Sequence, residues 1–92
     1  MVNLFLNEEL IESLFFPITD VGESTTVTVI VQNPLKDKVE LIPFSEDPDV
    51  EVVEYPRTLK PMESAKSTWK FSPDIKRLTP LRSNIGFKEI IG

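Results

Sequence analysis

The chain contains no histidine and no cysteine. It therefore lacks the imidazole that usually moves protons near neutral pH and the thiolate that serves as nucleophile or soft metal ligand. Tetrahedral zinc sites, iron–sulfur clusters, Ser-His-Asp and Cys-His catalytic groups and disulfides are excluded by this composition. The sequence predicts no cofactor and no bound metal, and it indicates that the chain is not an enzyme.

Positive charge is scarce as well. Ten lysines and arginines stand against fifteen aspartates and glutamates, a formal net charge of −5. An acidic surface repels polyanions at long range, so the composition disfavours nucleic acid and favours a protein partner. No apolar run approaches the roughly 18 residues that cross a bilayer, and the first residues lack the pattern of a secretion signal, so no membrane insertion is expected.

Glycine is rare and proline is common, at three and eight of 92 residues. Most intervals between the prolines are too short for a helix of ordinary length. The runs between them are rich in Val, Ile, Thr and Phe, which is typical of short strands bounded by turns. The sequence therefore predicts an all-β fold, and its length predicts a single domain over residues 1–92.

The clearest predicted strand covers residues 24–32, where alternate positions place Val27, Val29 and Val31 on one face. We call this face the valine stripe and expect it to be core. A second strand is predicted at residues 38–44, after a short loop. The two strands are expected to be antiparallel neighbours in one hairpin.

Residues 64–72 show the sharpest alternation in the chain and place Trp69 and Phe71 on the same face. Each aromatic buries about 150–250 Å² at about 25 cal/mol per Å², so the pair is expected to form the centre of the core. This aromatic stripe is expected to point toward the valine stripe across two stacked layers. The predicted core comprises Val27, Val29, Val31, Leu41, Trp69, Phe71, Ile85 and Phe87.

Further strands are predicted at residues 14–18, 50–55 and 84–91, which brings the total to about seven. On the last of them, alternation places three apolar residues on one face, Ile85, Phe87 and Ile91. Residues 1–13 have two interpretations. Asn7 followed by two glutamates fits the start of a short helix, and the alternation before it fits an extra strand.

The order of features over residues 15–73 resembles the immunoglobulin-like sandwiches of the major-sperm-protein and ASPM–SPD-2–Hydin type, and related domains of phage structural and bacterial surface proteins. In those families a glycine turn precedes the second strand, an asparagine ends it, a Leu-x-Pro-Gly-x-Ser turn precedes a later strand, and Phe-x-Pro ends that strand. Gly22, Asn33, residues 59–64 and residues 71–73 match these places. Met62 stands where the families have glycine. The resemblance implies an immunoglobulin-like antiparallel sandwich.

Two charged stretches are candidate sites. The acidic residues 46–51 could offer oxygen ligands to calcium but lack the EF-hand pattern, so a solvated loop is favoured. Lys76, Arg77 and Arg82 form the main basic group, for which ion pairing with the chain's own acids is favoured over phosphate contacts. The serines have no base nearby in sequence that would activate them.

Apolar residues are more numerous at the two chain ends than one strand of a small core can bury. One interpretation is that they complete the core as an additional strand. The other is that they dock a partner protein or a second copy, for instance by strand addition at an open sheet edge. The candidate interaction residues are Leu4, Phe5, Leu6, Leu10, Ile11, Ile90 and Ile91.

These observations favour a non-catalytic structural or interaction module. The resemblance to phage structural proteins implies a small virion component, such as a head decoration or tail-associated protein, whose partners are capsid or tail proteins. A cytoplasmic scaffold or adaptor of the major-sperm-protein type is the alternative. An adhesive surface domain would require exposed aromatics, for which Tyr55 is the candidate.

Overall fold

The computed structural model describes residues 1–91, which form nine strands and no helix. The strands pair antiparallel in two sheets, in the orders β2-β1-β4-β8-β6 and β3-β9-β5-β7. The predicted all-β sandwich is confirmed. Two of the nine strands have only two residues each, which accounts for the difference from about seven. The strand bounds are β1 Asn3–Leu6, β2 Glu9–Leu10, β3 Ser13–Phe16, β4 Thr25–Gln32, β5 Val39–Ser45, β6 Val50–Glu54, β7 Thr58–Leu59, β8 Ser64–Phe71 and β9 Leu81–Ile91.

The valine and aromatic stripes lie side by side in one sheet, and the expectation that they face each other across two layers is wrong. β4 pairs with β8 along its whole length, and Val27 is directly opposite Trp69. Directly opposite residues of an antiparallel pair point to the same face, so both stripes contact the other sheet.

The predicted pairing of β4 with β5 is also wrong, because the two strands belong to different sheets. The fully buried Asn33 fixes this crossing between the sheets. Its side-chain amide donates to the carbonyl of Asp37 at 2.8 Å and to that of Lys60 at 3.1 Å. Its carbonyl accepts from the backbone N–H of Leu35 at 3.0 Å. These bonds turn the chain away from β4 before a hairpin can form.

The core is centred on Trp69, whose exposed fraction is 1%. Its indole N–H donates to the Ser67 hydroxyl at 3.0 Å, and that hydroxyl donates to the Val29 carbonyl at 2.9 Å. The ring of Phe87 packs edge-on at 5.6 Å. Of the predicted core, Val27 is half-buried against the cluster and the others are buried. The core also includes Val2, Leu4, Leu14, Phe16, Val39, Val50 and Leu59.

Residues 1–13 form an extra strand and not a helix. β1 and β2 make a hairpin whose two turn residues, Asn7 and Glu8, have φ of 50° and 68°. Positive φ at both positions is the type I′ turn that two-residue hairpins favour. The chain then crosses to the other sheet as β3, so β1 and β3 belong to different sheets.

β9 lies between β3 and β5 in its sheet. β3 pairs with it over four residues only.

Candidate binding groove beside strand β9

β9 is paired unequally on its two sides. β3 pairs with it from Leu81 to Asn84, and β5 pairs with it on the opposite side from Ile85 to Ile91. Within residues 1–91, no strand pairs with β9 beyond Asn84 on the β3 side. We call this unpaired part of β9, residues 86–91, the open edge.

The hydrogen bonds show which backbone groups face the open edge. The backbone N–H of Ile85 donates toward the β3 side, to the carbonyl of Glu12 at 3.2 Å. Backbone groups in a strand alternate between its two edges, so those of Phe87, Glu89 and Ile91 point the same way as those of Ile85. Gly86, Lys88 and Ile90 point toward β5. The open edge therefore presents a short row of backbone donors and acceptors.

An apolar groove of about 450 Å³ lies between β1 and residues 84–87 of β9, so it reaches the first two residues of the open edge. The groove is lined by Val2 just before β1, Leu4 in β1, Leu10 at the end of β2, Ile11 just after it, and Phe87 in β9. This volume is within the range of about 300–1,000 Å³ typical of ligand sites. The groove thus combines apolar walls with unpaired backbone along one side.

Phe44 extends the groove onto the outer face of the sheet. Its ring lies across Gly86, its direct partner on β9. A Cβ atom added at Gly86 would be 2.6 Å from Cζ of Phe44, which is closer than real contacts allow. The ring of Phe44 can occupy this position only because Gly86 has no side chain.

The inner face of β9 is uncovered toward its end. Ile91 is directly opposite Val39, which is fully buried, and so points to the inner face. Even so, Ile91 is 60% exposed. Among residues 1–91, no strand covers this inward apolar side chain.

Glu89 is a charged residue on the same inner face. It is directly opposite Leu41, a core residue, and its side chain is only 16% exposed. Its Oε1 atom is buried and has no hydrogen-bond partner among the described residues. The amino group of Met1, which lines the groove, is 3.6 Å from this oxygen, too far for a hydrogen bond.

Some of the other edges carry features that proteins commonly use against strand addition. β2 and β7 have two residues each. β6 carries Glu51 and Glu54 and is interrupted by a bulge after Val52. Residues 25–29 of β4 have no strand partner on their β1 side among residues 1–91.

The seven predicted interaction residues fall into three places. Leu4 is buried, and Leu6 and Ile11 pack against the core. These three residues are therefore placed as in the interpretation that the chain ends complete the core. Phe5 and Leu10 are direct partners in the β1–β2 hairpin, on the outer face of the five-stranded sheet. The last two belong to β9, with Ile90 on the outer face and Ile91 on the inner face of the four-stranded sheet. Of the seven, the groove is lined by Leu4, Leu10 and Ile11.

Sequence reasoning did not identify Glu89, Gly86 and Phe44 as parts of a site. For Glu89 a signal was present, because the alternation that places Ile85 and Phe87 inward also places residue 89 inward. A carboxylate on an apolar face is an informative exception to the rule that charges face solvent. For the other two no signal was present, since their contact depends on the register between β5 and β9.

The acidic loop and the basic group meet elsewhere, at one end of the sandwich. Arg77 donates to both carboxylate oxygens of Asp47, at 2.8 and 3.0 Å, and to Asp49 at 2.7 Å. Its guanidinium lies 5.1 Å from the ring centre of Phe71. The favoured interpretation of Arg77, pairing with the chain's own acids, is confirmed, and Arg82 lies apart on β9, opposite Phe15.

The ion pair sets the protonation of Asp47. Burial alone would raise its pKa, but the hydrogen bonds from Arg77 and from the backbone N–H of Asp49, together with the guanidinium charge, outweigh burial and lower the pKa below 3.8. The same bonds raise the pKa of Arg77. Among residues 1–91, no group of three or more acidic side chains is placed to hold a metal ion.

The other functional candidates can also be placed. Tyr55, the aromatic considered for adhesion, is half-buried and packs 5.9 Å from the ring of Phe87. The part of the chain that the structure describes contains no helix long and apolar enough to span a membrane. Comparison of the chain with protein-family models, curated proteins and solved structures gave no match.

Proposed function

We propose that the chain is a non-catalytic interaction module that binds an extended segment of a partner protein at the open edge of β9. The observation that supports this most directly is the coincidence of unpaired backbone groups with an apolar groove along the same edge. In strand addition, main-chain hydrogen bonds supply affinity and the side chains that enter the groove supply specificity. The groove beside Phe87 and the uncovered Ile91 offer both.

The bound segment would take the place that the last strand takes in an immunoglobulin sandwich. It would lie beside β9 in line with β3, on the side where β3 begins at Ser13. There it would cover the inward side chains near the end of β9. Burial of the apolar area of the groove would add to the backbone bonds at about 25 cal/mol per Å². The site therefore favours a partner that is already extended or that becomes ordered on binding.

A virion is the assembly that we propose for this module, as a head decoration or tail-associated protein whose segment donor is a capsid or tail protein. This step rests on the resemblance of residues 15–73 to phage structural sandwiches of immunoglobulin type. A cytoplasmic scaffold would use the same groove, so the identity of the segment donor distinguishes the two assemblies.

Affinity capture from the native source with three matched baits tests the proposal. Ile91→Pro removes a backbone N–H that faces the open edge and leaves the ladder to β5 intact, because that ladder uses Gly86, Lys88 and Ile90. Ile91→Ala removes the same side chain but keeps the N–H. A protein retained by the wild type and by Ile91→Ala but lost with Ile91→Pro supports binding at this edge. An identical set of proteins on all three baits contradicts it.

A further inference from the structure

We infer that the segment bound at β9 carries a lysine or arginine directly opposite Glu89, with apolar residues two positions before and two positions after it. The inference rests on the proposed function and adds the chemistry of the partner. Its central observation is a carboxylate that points inward at an edge that no strand of residues 1–91 covers.

The need for a cation follows from the surroundings of Glu89. Its side chain is 16% exposed and its Oε1 atom is buried without a hydrogen-bond donor. A buried carboxylate oxygen is unfavourable unless it is hydrogen-bonded or paired with a positive charge. The amino group of Met1 is 3.6 Å away, beyond hydrogen-bond distance, so it leaves this oxygen without a donor. A donor from an incoming strand would complete the site.

Strand geometry places that donor within reach. A residue directly opposite Glu89 on an added antiparallel strand would point to the same inner face, with Cβ atoms about 4.5–5.5 Å apart. Lysine and arginine have long apolar stems that pack against hydrophobic walls while the charged end reaches a partner. The stem would extend along the inner face toward the groove, which is lined by Met1, the residue whose amino group is 3.6 Å from Glu89.

The neighbours of Glu89 on the inner face define the rest of the pattern. Phe87 and Ile91 lie two residues to either side, and both are apolar. The residues opposite them would also point inward, between the sheets, where apolar side chains are stable. The intervening positions would face outward beside Lys88 and Ile90. The partner pattern is therefore apolar, any residue, lysine or arginine, any residue, apolar.

A second copy of the chain does not satisfy this pattern through its own β9 edge. The inward residues that such an edge would offer are Phe87, Glu89 and Ile91, none of which is basic. A two-fold pairing centred on residue 89 would place two carboxylates opposite each other, which is destabilising. Each copy also carries a net charge of −5. The occupant is therefore a different segment with positive charge at its centre.

Two capped synthetic peptides test the inference, Thr-Val-Thr-Lys-Thr-Val-Thr and the same sequence with Glu in place of Lys. NMR titration of the full chain measures the Kd of each peptide and identifies the backbone amides that shift. The lysine peptide is expected to bind at least about tenfold more tightly than the glutamate peptide, with shifts at Phe87 and Glu89. The Glu89→Gln variant should lose this preference and Glu89→Lys should reverse it.

The matched control is Glu40→Gln, which removes the same charge from an exposed position on the outer face of β5 and should leave the preference unchanged. Thermal melts of each variant check that it is folded. Equal binding of both peptides to the wild type at the β9 amides would overturn the cation requirement and leave strand addition intact. Binding of neither peptide would also overturn the inferred pattern, while the capture experiment with Ile91→Pro judges the proposed function separately.

Discussion

Replacement of Glu89 with leucine is expected to stabilise the folded protein while it removes the charge proposed for partner binding. The residue points to the core face opposite Leu41, and its side chain is largely buried with one carboxylate oxygen unpaired. Leucine has a similar size and no polar atoms. At this position the substitution therefore replaces a desolvated charge with an apolar group that packs beside Phe87.

The magnitude follows from two opposing contributions. An unsatisfied buried polar group costs about 1–3 kcal/mol, which leucine would recover. The long ion pair with the amino group of Met1 would be lost, at less than about 1 kcal/mol. The free energy of unfolding should therefore rise by about 1–2 kcal/mol. A chain of this length gains about 4–8 °C in Tm for each kcal/mol.

Urea denaturation followed by tryptophan fluorescence measures this change, because Trp69 is the single tryptophan and is buried in the core. Glu40→Leu, on the exposed outer face, is the control and should change stability by no more than about 0.5 kcal/mol. A Glu89→Leu protein that is less stable than the wild type, or no more stable than Glu40→Leu, would refute the description of Glu89 as an uncompensated inward charge.

Three other changes test the core, the ion pair and a turn. Trp69→Ala should destabilise the fold by about 3–5 kcal/mol in thermal or urea unfolding, since it empties the centre of the core; a loss below about 1 kcal/mol would contradict that placement. Arg77→Ala should lower the free energy of unfolding by about 1–2 kcal/mol at pH 7, because it removes the hydrogen bonds to Asp47 and Asp49. Because the pKa of Asp47 in the folded protein lies below 3.8, the stability that its ionisation contributes is present above the pKa of the unfolded chain. This stability is lost as the pH falls through the folded pKa. The difference in the free energy of unfolding between wild type and Arg77→Ala, measured with urea, should therefore become smaller below about pH 4. A difference that becomes larger there would be inconsistent with this ion pair. Met62 has φ of 64° where the resembled families have glycine, so Met62→Gly should raise stability by about 0.5–1 kcal/mol in the same assay, and a loss of that size would argue against the left-handed turn.

The faces of the strands could be predicted from the sequence more fully than their neighbours could. Alternation along residues 24–32 and 64–72 identified Val29, Val31 and Trp69 as inward residues, and all three are buried. Alternation does not specify which strands pair, because the same inward face can be provided by either sheet. The pattern therefore also fits a hairpin loop at residues 35–37, although Asn33 anchors this segment as a crossing between sheets.

The first residues were ambiguous for a local reason. Asn7 and Glu8 form a type I′ turn without the glycine that usually marks it, so the sequence also fitted the start of a helix. The strand alternative held because Leu4 can then pair with Val31 and complete the core. Local sequence preference fitted both a strand and a helix for these residues, and tertiary packing selected the strand.

The candidate site was predictable only in part. Surplus apolar residues at both chain ends pointed to the right region, and Leu4, Leu10 and Ile11 do line the groove. The open edge exists because the pairing of β3 with β9 stops at Ser13 and Asn84. No pattern in the sequence indicates where this pairing stops. Gly86 acquires its role only through the register that places it opposite Phe44.

Amide hydrogen exchange along β9, measured by NMR on the free protein, tests the open edge most directly. Gly86, Lys88 and Ile90 face β5 and should exchange slowly, whereas Phe87 and Glu89 face the open edge and should exchange at least about tenfold faster. This alternation from residue to residue is the predicted result. Uniform protection from residue 86 to residue 90 would contradict the account, because it would mean that the edge is already paired.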